Sequence, residues 1–104
     1  MTITKLSETI ITEILENKIE YLKTYILNSN VIKLNDFKNE NFQRTVESYI
    51  SRYLENTLLK ITSITKPLIK VSNVTTAADA KIGELIFDIY IIEHNKHIYI
   101  TIKK

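Results

Sequence analysis

Cysteine is absent from this sequence, and glycine and proline each occur once in its 104 residues. The lack of cysteine excludes disulfide bonds, thiol catalysis and thiolate metal sites. Glycine-rich phosphate loops, dinucleotide-binding fingerprints and nucleophile elbows all need several glycines for close approach of the backbone, so the common nucleotide-binding enzymes are disfavoured. We therefore expect no cofactor, no metal ion and no small-molecule substrate.

Net charge is small, and long apolar runs are missing. Fourteen Lys and Arg residues against twelve Asp and Glu leave a net charge of +2, and the basic residues are scattered along the chain. Such a charge creates no strong field for a polyanion, which disfavours nucleic acid as a partner. No apolar run reaches the roughly 18 residues of a membrane span, and the first residues do not resemble a signal peptide. These features predict a cytoplasmic protein that does not bind a membrane.

The hydrophobic and charged fractions, 44% and 25%, are those of a folded globular protein, and the length suits a single domain over residues 1–104. Apolar residues at steps of three and four predict an amphipathic helix over residues 5–28. Thr4 and Ser7 are both suitable for its N-terminal cap, and the asparagines at its end tolerate the left-handed conformation that closes many helices. A second apolar stripe predicts a helix over residues 40–56.

The segment between the two helices, residues 29–41, mixes Asn, Asp and Ser with several apolar residues. This mixture predicts a loop that is held against the core, with no domain boundary inside it. On the second helix, Glu40 and Arg44 stand four residues apart and are expected to form an ion pair.

Thr, Ile and Val become frequent after residue 57, which predicts strands. Pro67 divides this region, because proline cannot donate a hydrogen bond within a sheet. We expect a loop over residues 76–81 and a hairpin turn at residues 94–96. The predicted strands span residues 58–65, 68–75, 82–93 and 97–103. The predicted fold class is α+β: two amphipathic helices followed by a three- to four-stranded, mainly antiparallel sheet that ends in a β-hairpin.

The third predicted strand is apolar on both of its faces. Two helices on one side of a small sheet cannot also cover its back, so the second face is expected to contact a loop, a second copy of the chain or a different protein. We interpret it as a surface for interaction with a protein. Only Asp88 interrupts that second face. The predicted partner-binding residues are Ile86, Tyr90 and Ile92, with Tyr99 on the neighbouring strand. The face assigned to the helices carries Leu85, Phe87, Ile89 and Ile91.

Few residues of the sequence could support catalysis. His94 and His97 flank the hairpin turn with no evident third metal ligand, so we interpret them as solvated side chains. Asp88 is either a carboxylate among apolar neighbours, whose pKa would be raised as in a catalytic acid, or a residue that is exposed or paired with a lysine. Asp79 and Glu84, with a lysine between them, resemble the residues of metal-dependent nucleases, but their order and spacing differ. We predict no catalytic residue and no enzyme activity.

Residues 46–55, Val-Glu-Ser-Tyr-Ile-Ser-Arg-Tyr-Leu-Glu, form a predicted helix that ends in an acidic residue before an apolar strand from Leu58 to Ile64. Together with the final hairpin, this order resembles the C-terminal half of the contractile-tail baseplate wedge family, the sheath-initiator proteins of phages, tailocins and type VI secretion systems. Asn56-Thr57 stands where that family has Pro-Arg, and the Gly- and Arg-containing turn after the family's first helix has no counterpart. The resemblance covers about half of the chain and implies a non-catalytic assembly part of a virion that donates a strand or sheet edge to neighbouring subunits, so the expected location is the cytoplasm or a virion.

The sequence therefore predicts a non-enzymatic protein-interaction module, with a structural or assembly role in the baseplate or tail of a phage-like particle as the preferred hypothesis. Its many Ile, Lys and Asn residues are typical of AT-rich genomes, which include many phages. One alternative is a small phage or mobile-element inhibitor of a host protein, an anti-defence factor that would use the same exposed sheet. Another is single-stranded nucleic-acid binding, with Tyr90 and Tyr99 stacking on bases beside Lys96, Lys103 and Lys104.

Overall fold

The computed structural model describes residues 7–28 and 36–103. Two long helices are followed by a three-stranded antiparallel sheet with β2 in the centre, which confirms the predicted α+β fold. In this described part of the chain, no helix is long and apolar enough to cross a membrane. The elements are α1 (Glu8–Leu27), α2 (Glu40–Thr62), β1 (Ile69–Asn73), α3 (Ala77–Lys81), β2 (Glu84–Ile91), a 3-10 turn (Ile92–His94) and β3 (Lys96–Lys103).

Helix α1 forms because its apolar residues recur on one side and because its first turn is capped. Ser7 is the N-cap, and its hydroxyl accepts a hydrogen bond from the Ile10 amide at 3.2 Å. Thr4, the other predicted cap, lies outside the described residues. Asn28 follows the helix with a right-handed backbone, so the left-handed conformation considered for the helix end does not occur at this residue. The buried stripe comprises Ile11, Leu15, Ile19, Leu22 and Ile26.

Helix α2 extends to Thr62, beyond the predicted end at residue 56. The strand predicted over residues 58–65 is therefore wrong, because Leu58 continues the apolar stripe of the helix and is only 2% exposed. The β-branched Thr62 is accommodated by donating its hydroxyl to the Leu58 carbonyl at 2.7 Å. The helix ends at Ser63, which adopts the left-handed conformation with φ 59°.

The segment just before α2, from residue 36, packs against the core, as predicted for the loop over residues 29–41. Phe37 is buried, and its carbonyl accepts a hydrogen bond from the side-chain amide of Gln43 at 2.6 Å. The rest of the predicted loop, residues 29–35, lies outside the described residues. The expected ion pair between Glu40 and Arg44 does not form, since the Arg44 guanidinium instead hydrogen-bonds an asparagine one turn earlier.

The segment predicted as a loop over residues 76–81 contains the short helix α3, so that prediction is wrong. Thr76 and Asp79 form a capping box, in which the Asp79 amide donates to the Thr76 hydroxyl at 3.1 Å and the Thr76 amide donates to the Asp79 carboxylate at 2.9 Å. The backbone amide of Thr76, followed by its side chain, lowers the pKa of Asp79 by hydrogen bonding to the carboxylate. Gly83, with φ 82°, then turns the chain into β2.

The hairpin of β2 and β3 is confirmed, with Asn95 in the left-handed conformation (φ 49°) at its turn. The register places Tyr90 opposite His97 and Asp88 opposite Tyr99. The residues facing the helices are at most 1% exposed, which confirms the inner face. These residues are Leu85, Phe87, Ile89, Ile91, Ile100 and Ile102.

The two long helices run antiparallel across this inner face. Glu8, at the start of α1, pairs with Lys96 at 3.4 Å, and Lys96 lies in the same row of the sheet as Ile69, the first residue of β1 after α2. At the other end of β1, the Asn73 amide donates to the Glu47 carboxylate in the first half of α2 at 2.6 Å. Helix α1 therefore begins at the end of the sheet where α2 finishes.

Candidate functional site: the outer sheet face

The face of the sheet opposite the helices is where the sequence predicts partner binding. Side chains alternate along a strand, so the residues between the fully buried ones of β2 point away from the helices and are half-buried. We call this surface the outer sheet face. Its residues are Lys70 and Ser72 on β1, Ile86, Asp88 and Tyr90 on β2, and His97, Tyr99 and Thr101 on β3.

Three rings form a row across the outer sheet face. The Tyr90 and His97 ring centroids lie 4.8 Å apart, and those of His97 and Tyr99 lie 6.4 Å apart with ring planes only 16° from parallel. The Tyr90 hydroxyl donates to the Asn95 side chain at 2.7 Å, which fixes one end of the row. At the other end, Tyr99 is 61% exposed. The row is therefore ordered by its own neighbours and presents one largely exposed ring.

The middle ring is held by a carboxylate on the central strand. Nδ1 of His97 lies 2.8 and 3.0 Å from the two carboxylate oxygens of Asp88. The Asp88 side chain is 15% exposed and that of His97 is 46% exposed. His97 is therefore exposed to solvent, as expected, and its ring also contacts Asp88. Of the alternatives for Asp88, pairing with a lysine does not occur. Within the described residues, no group of three or more His, Asp or Glu side chains could hold a metal ion.

The cations around the outer sheet face are largely neutralised. Lys103 lies 3.7 Å from the Glu84 carboxylate, and Lys96 pairs with Glu8 on helix α1. Near the hairpin turn, Lys66 pairs with Glu93 at 2.6 Å. Lys70, opposite Tyr90, forms no ion pair within the described part of the chain. The surface is consequently aromatic and close to electrically neutral.

Three of the four predicted partner-binding residues come together on this face. Ile86 and Tyr90 on β2 are half-buried, and Tyr99 on β3 is exposed. Ile92 is 43% exposed but lies in the 3-10 turn after β2 has ended, so the strand alternation no longer places it on the face. The Thr75 hydroxyl bonds both the amide and the carbonyl of Ile86, which satisfies the backbone of β2 beside the end of β1.

The residues that resemble a nuclease pattern are engaged elsewhere and are not brought together as a site. Asp79 caps helix α3, and Glu84 pairs with Lys103 at the far end of the hairpin. His94 lies in the 3-10 turn, whereas His97 belongs to β3.

Sequence reasoning missed His97 as a member of this site, because the predicted turn was misplaced. A turn at residues 94–96 would place Tyr90 opposite Ile100, whereas the observed turn at residues 92–95 places His97 opposite Tyr90. Asp88 is then the diagonal neighbour of His97, within reach of an imidazole ring.

The resemblance to baseplate proteins included an apolar strand from Leu58 to Ile64. This strand is absent from the described residues, because Leu58–Thr62 belongs to helix α2. The resemblance consequently depends on the helix over residues 46–55 and on the final hairpin. No protein-family model matches the chain, and no curated protein and no solved structure is significantly similar to it.

Proposed function

We propose that this protein is a non-enzymatic interaction module that binds another protein through the outer sheet face. The observation that carries this proposal is the row of Tyr90, His97 and Tyr99, in which contacts inside the hairpin order the rings and leave Tyr99 61% exposed. Aromatic side chains are enriched among the residues that dominate binding energy at protein interfaces. Because these rings are already ordered, binding requires little further loss of side-chain entropy.

The charge of the surface favours a protein over a single-stranded nucleic acid. Binding to a phosphate backbone depends on lysines and arginines that are free to neutralise phosphates. Of the three lysines in the nucleic-acid hypothesis, Lys96 and Lys103 each already contact a glutamate, and Lys104 lies outside the described residues. We expect no appreciable binding of single-stranded DNA or RNA at physiological salt, and salt-sensitive micromolar binding in a fluorescence-anisotropy titration would reverse this preference.

The more specific role that we propose is that of an assembly component of a phage-like particle, in its baseplate or tail. It draws on the helix over residues 46–55 followed by a terminal hairpin, which resembles the order in the baseplate wedge family. An inhibitor of a host protein is the alternative, since it would use the same surface. Co-sedimentation of the protein with purified particles would favour assembly, whereas its presence only in the soluble fraction with a host protein would favour inhibition.

The interaction is tested by comparing two aspartate substitutions at exposed apolar side chains. Tyr99→Asp places a charge in the row of rings, whereas Ile82→Asp alters a residue that is 71% exposed between α3 and β2. Partners captured from source cells are identified by mass spectrometry, purified, and measured against both variants by calorimetry. We expect Tyr99→Asp to weaken binding by about 30-fold or more, as for a residue that dominates an interface, and Ile82→Asp to leave it unchanged.

Equal affinities of the two variants for every purified partner would contradict the proposal. Circular dichroism of both variants is the control for folding. If Tyr99→Asp instead changes only the oligomeric state, the outer sheet face binds a second copy of the chain.

A further inference from the structure

The solvent side of helices α1 and α2, which we call the helix layer, carries a second aromatic cluster far from the outer sheet face. Tyr25 and Tyr49 stack across the two helices with ring centroids 6.1 Å apart, and Tyr53 follows Tyr49 at 6.5 Å. We call these three rings the tyrosine seam. Tyr25 is 60% exposed, and Tyr21, one turn earlier, is 68% exposed. Burial, followed by the proximity of Tyr25, raises the pKa of Tyr49, so its hydroxyl remains protonated and able to donate a hydrogen bond at neutral pH.

Both helices present charges without an ion pair on the solvent side of the helix layer. On α2, the exposed side contains both arginines of the sequence and Lys60, and none of the three forms an ion pair within the described residues. The same helix also carries three glutamates, of which Glu47 accepts a hydrogen bond from the Asn73 amide and Glu55 one from the Ser51 hydroxyl. On α1, Glu13 and Glu20 lie two turns apart on the side opposite the buried stripe. Glu20 has one weak contact, 3.8 Å from Lys23 on its own helix, and Glu13 has no ion pair in the described part. These two glutamates of α1 and the cations of α2 therefore lie on opposite sides of the seam, although each helix carries charges of both signs.

The positions of these charges match across the seam. We take the level of the stacked Tyr25 and Tyr49 rings as the centre of the seam. Along the helix axis, Glu20 lies about 7 Å from this level toward the start of α1, and Arg52 lies about 5 Å from it toward the end of α2. These two directions are the same because the helices are antiparallel. By the same count, Glu13 lies about 18 Å and Lys60 about 16 Å from the centre. A rotation of 180° about an axis along the seam consequently places Glu20 and Glu13 of one copy near the levels of Arg52 and Lys60 of the other.

We propose that a second copy of this chain packs on the helix layer, in a symmetric dimer whose two-fold axis runs along the tyrosine seam. Helix α1 of each copy lies on α2 of the other, with Glu20 facing Arg52, Glu13 facing Lys60 and the tyrosines in the centre. Such a self-complementary patch is what a two-fold interface requires. Two helices about 30 Å long and about 10 Å wide offer roughly 600 Å² per copy, or about 1,200 Å² in total, which lies at the lower limit of specific interfaces.

This dimer goes beyond the proposed function and does not depend on it. With the helix layers in contact, the two outer sheet faces point away from each other at opposite ends of the assembly. Each dimer would then present two copies of the row containing Tyr99, and binding to a repetitive partner would gain from the increased effective concentration.

Charge-swap variants test the dimer by sedimentation equilibrium of the full chain. We expect the native protein to dimerise, and the variants Arg52→Glu with Lys60→Glu and Glu13→Lys with Glu20→Lys each to associate about 30-fold more weakly, since every facing pair then carries like charges. An equimolar mixture of the two variants restores opposite charges at all pairs and should recover the native affinity as a heterodimer. Lys70→Glu, on the outer sheet face, is the matched control and should leave the dimer intact.

A native protein that stays monomeric would overturn the proposal, as would a mixture that remains monomeric while both variants fold by circular dichroism. Loss of the dimer in Lys70→Glu or Tyr99→Asp, with the charge-swap variants unaffected, would also overturn it and would assign self-association to the sheet. Failure of the partner-capture experiment would leave this result unchanged, because sedimentation of the purified chain involves no other protein.

Discussion

The outer sheet face and the helix layer both present tyrosines and charges to solvent, but they arrange the charges differently. On the sheet, Asp88 contacts His97 and Glu84 contacts Lys103, because the hairpin places opposite charges on neighbouring strands. On the helix layer, Glu13 and Glu20 lie on one helix and both arginines on the other, separated by the tyrosine seam. Apart from Lys70, the described charged residues of the outer sheet face are thus in contact with each other, and the sheet offers rings, whereas the helix layer leaves several charges to be matched by another molecule.

The largest expected effect tests whether both surfaces depend on a single core. Ile89 is fully buried between the helices and the sheet, and Ile89→Asp places a carboxylate there. The loss in free energy of unfolding should exceed the total stability of a domain of this size, about 5–15 kcal/mol. The variant should therefore be unfolded, and both surfaces should be lost. Tyr90→Asp changes the adjacent residue, whose side chain points to the outer sheet face, and should retain the fold while weakening partner binding.

Thermal melting followed by circular dichroism compares these two variants. If Tyr90→Asp unfolds the chain as completely as Ile89→Asp, the ring of Tyr90 belongs to the core in energetic terms. In that case, the distinction between the buried face and the outer sheet face on which the proposed function depends would be lost.

The second prediction concerns helix α1, which carries Glu13 and Glu20. Leu15 is 1% exposed, whereas Ile14, the preceding residue, is only partly buried. Leu15→Ala should lower the free energy of unfolding by about 2–5 kcal/mol, and Ile14→Ala by about 1 kcal/mol, because fewer of its contacts are lost. Urea denaturation of both variants measures the difference. Equal losses, or a cooperative transition that survives proteolytic removal of α1, would show that this helix is not part of the core.

The regular elements were predictable where one spacing of apolar residues dominated. Helix α1 and the final hairpin were predicted because steps of three and four, or of two, hold along each of them. The strand prediction at residues 58–65 failed because the β-branched residues at this end of α2 favour strands, while burial of Leu58 keeps the segment helical. Helix α3 was missed because five residues show no period, and only the Thr76 and Asp79 spacing marks it.

The sequence was sufficient to predict which side of the sheet each residue of the candidate site occupies, but not which side chains contact each other. Alternation alone assigns Ile86, Tyr90 and Tyr99 to the side away from the helices. The contact of Asp88 with His97 depends on the register and on the diagonal reach of both side chains, which composition and spacing along one strand do not contain. The tyrosine seam depends on how α1 and α2 are placed against each other, and the periodicity within each helix does not specify this placement.

The third prediction compares one ion pair from each surface by double-mutant cycles. Asp88 and His97 are in direct contact, and the carboxylate is largely buried. Their coupling should lie near the upper end of the range of about 0.2–1 kcal/mol measured for such pairs. Glu20 and Lys23, 3.8 Å apart on an exposed helix, should couple by about 0.3 kcal/mol or less. A stronger coupling for the helix pair would contradict the view that only the sheet satisfies its charges internally.

The smallest effect concerns titration of the tyrosine seam. The pKa of Tyr49 is raised from its ordinary value of 10.0 by burial and then by Tyr25, so the folded state holds this proton more tightly than the unfolded state. The resulting stability is fully present below pH 10.0 and is lost as the pH rises through the raised pKa. Tyr49→Phe should therefore show a shallower decline of stability above that pH than the native protein, whereas Tyr21→Phe, which leaves Tyr49 in place, should retain the native decline. Denaturation at a series of alkaline pH values, at concentrations where the chain is monomeric, gives these slopes.

In the proposed dimer the seam is buried further. Tyrosinate absorbance should therefore place the titration of Tyr49 at a higher pH in concentrated than in dilute protein. If the titration does not depend on concentration in a sample that dimerises by sedimentation, the interface lies elsewhere on the chain.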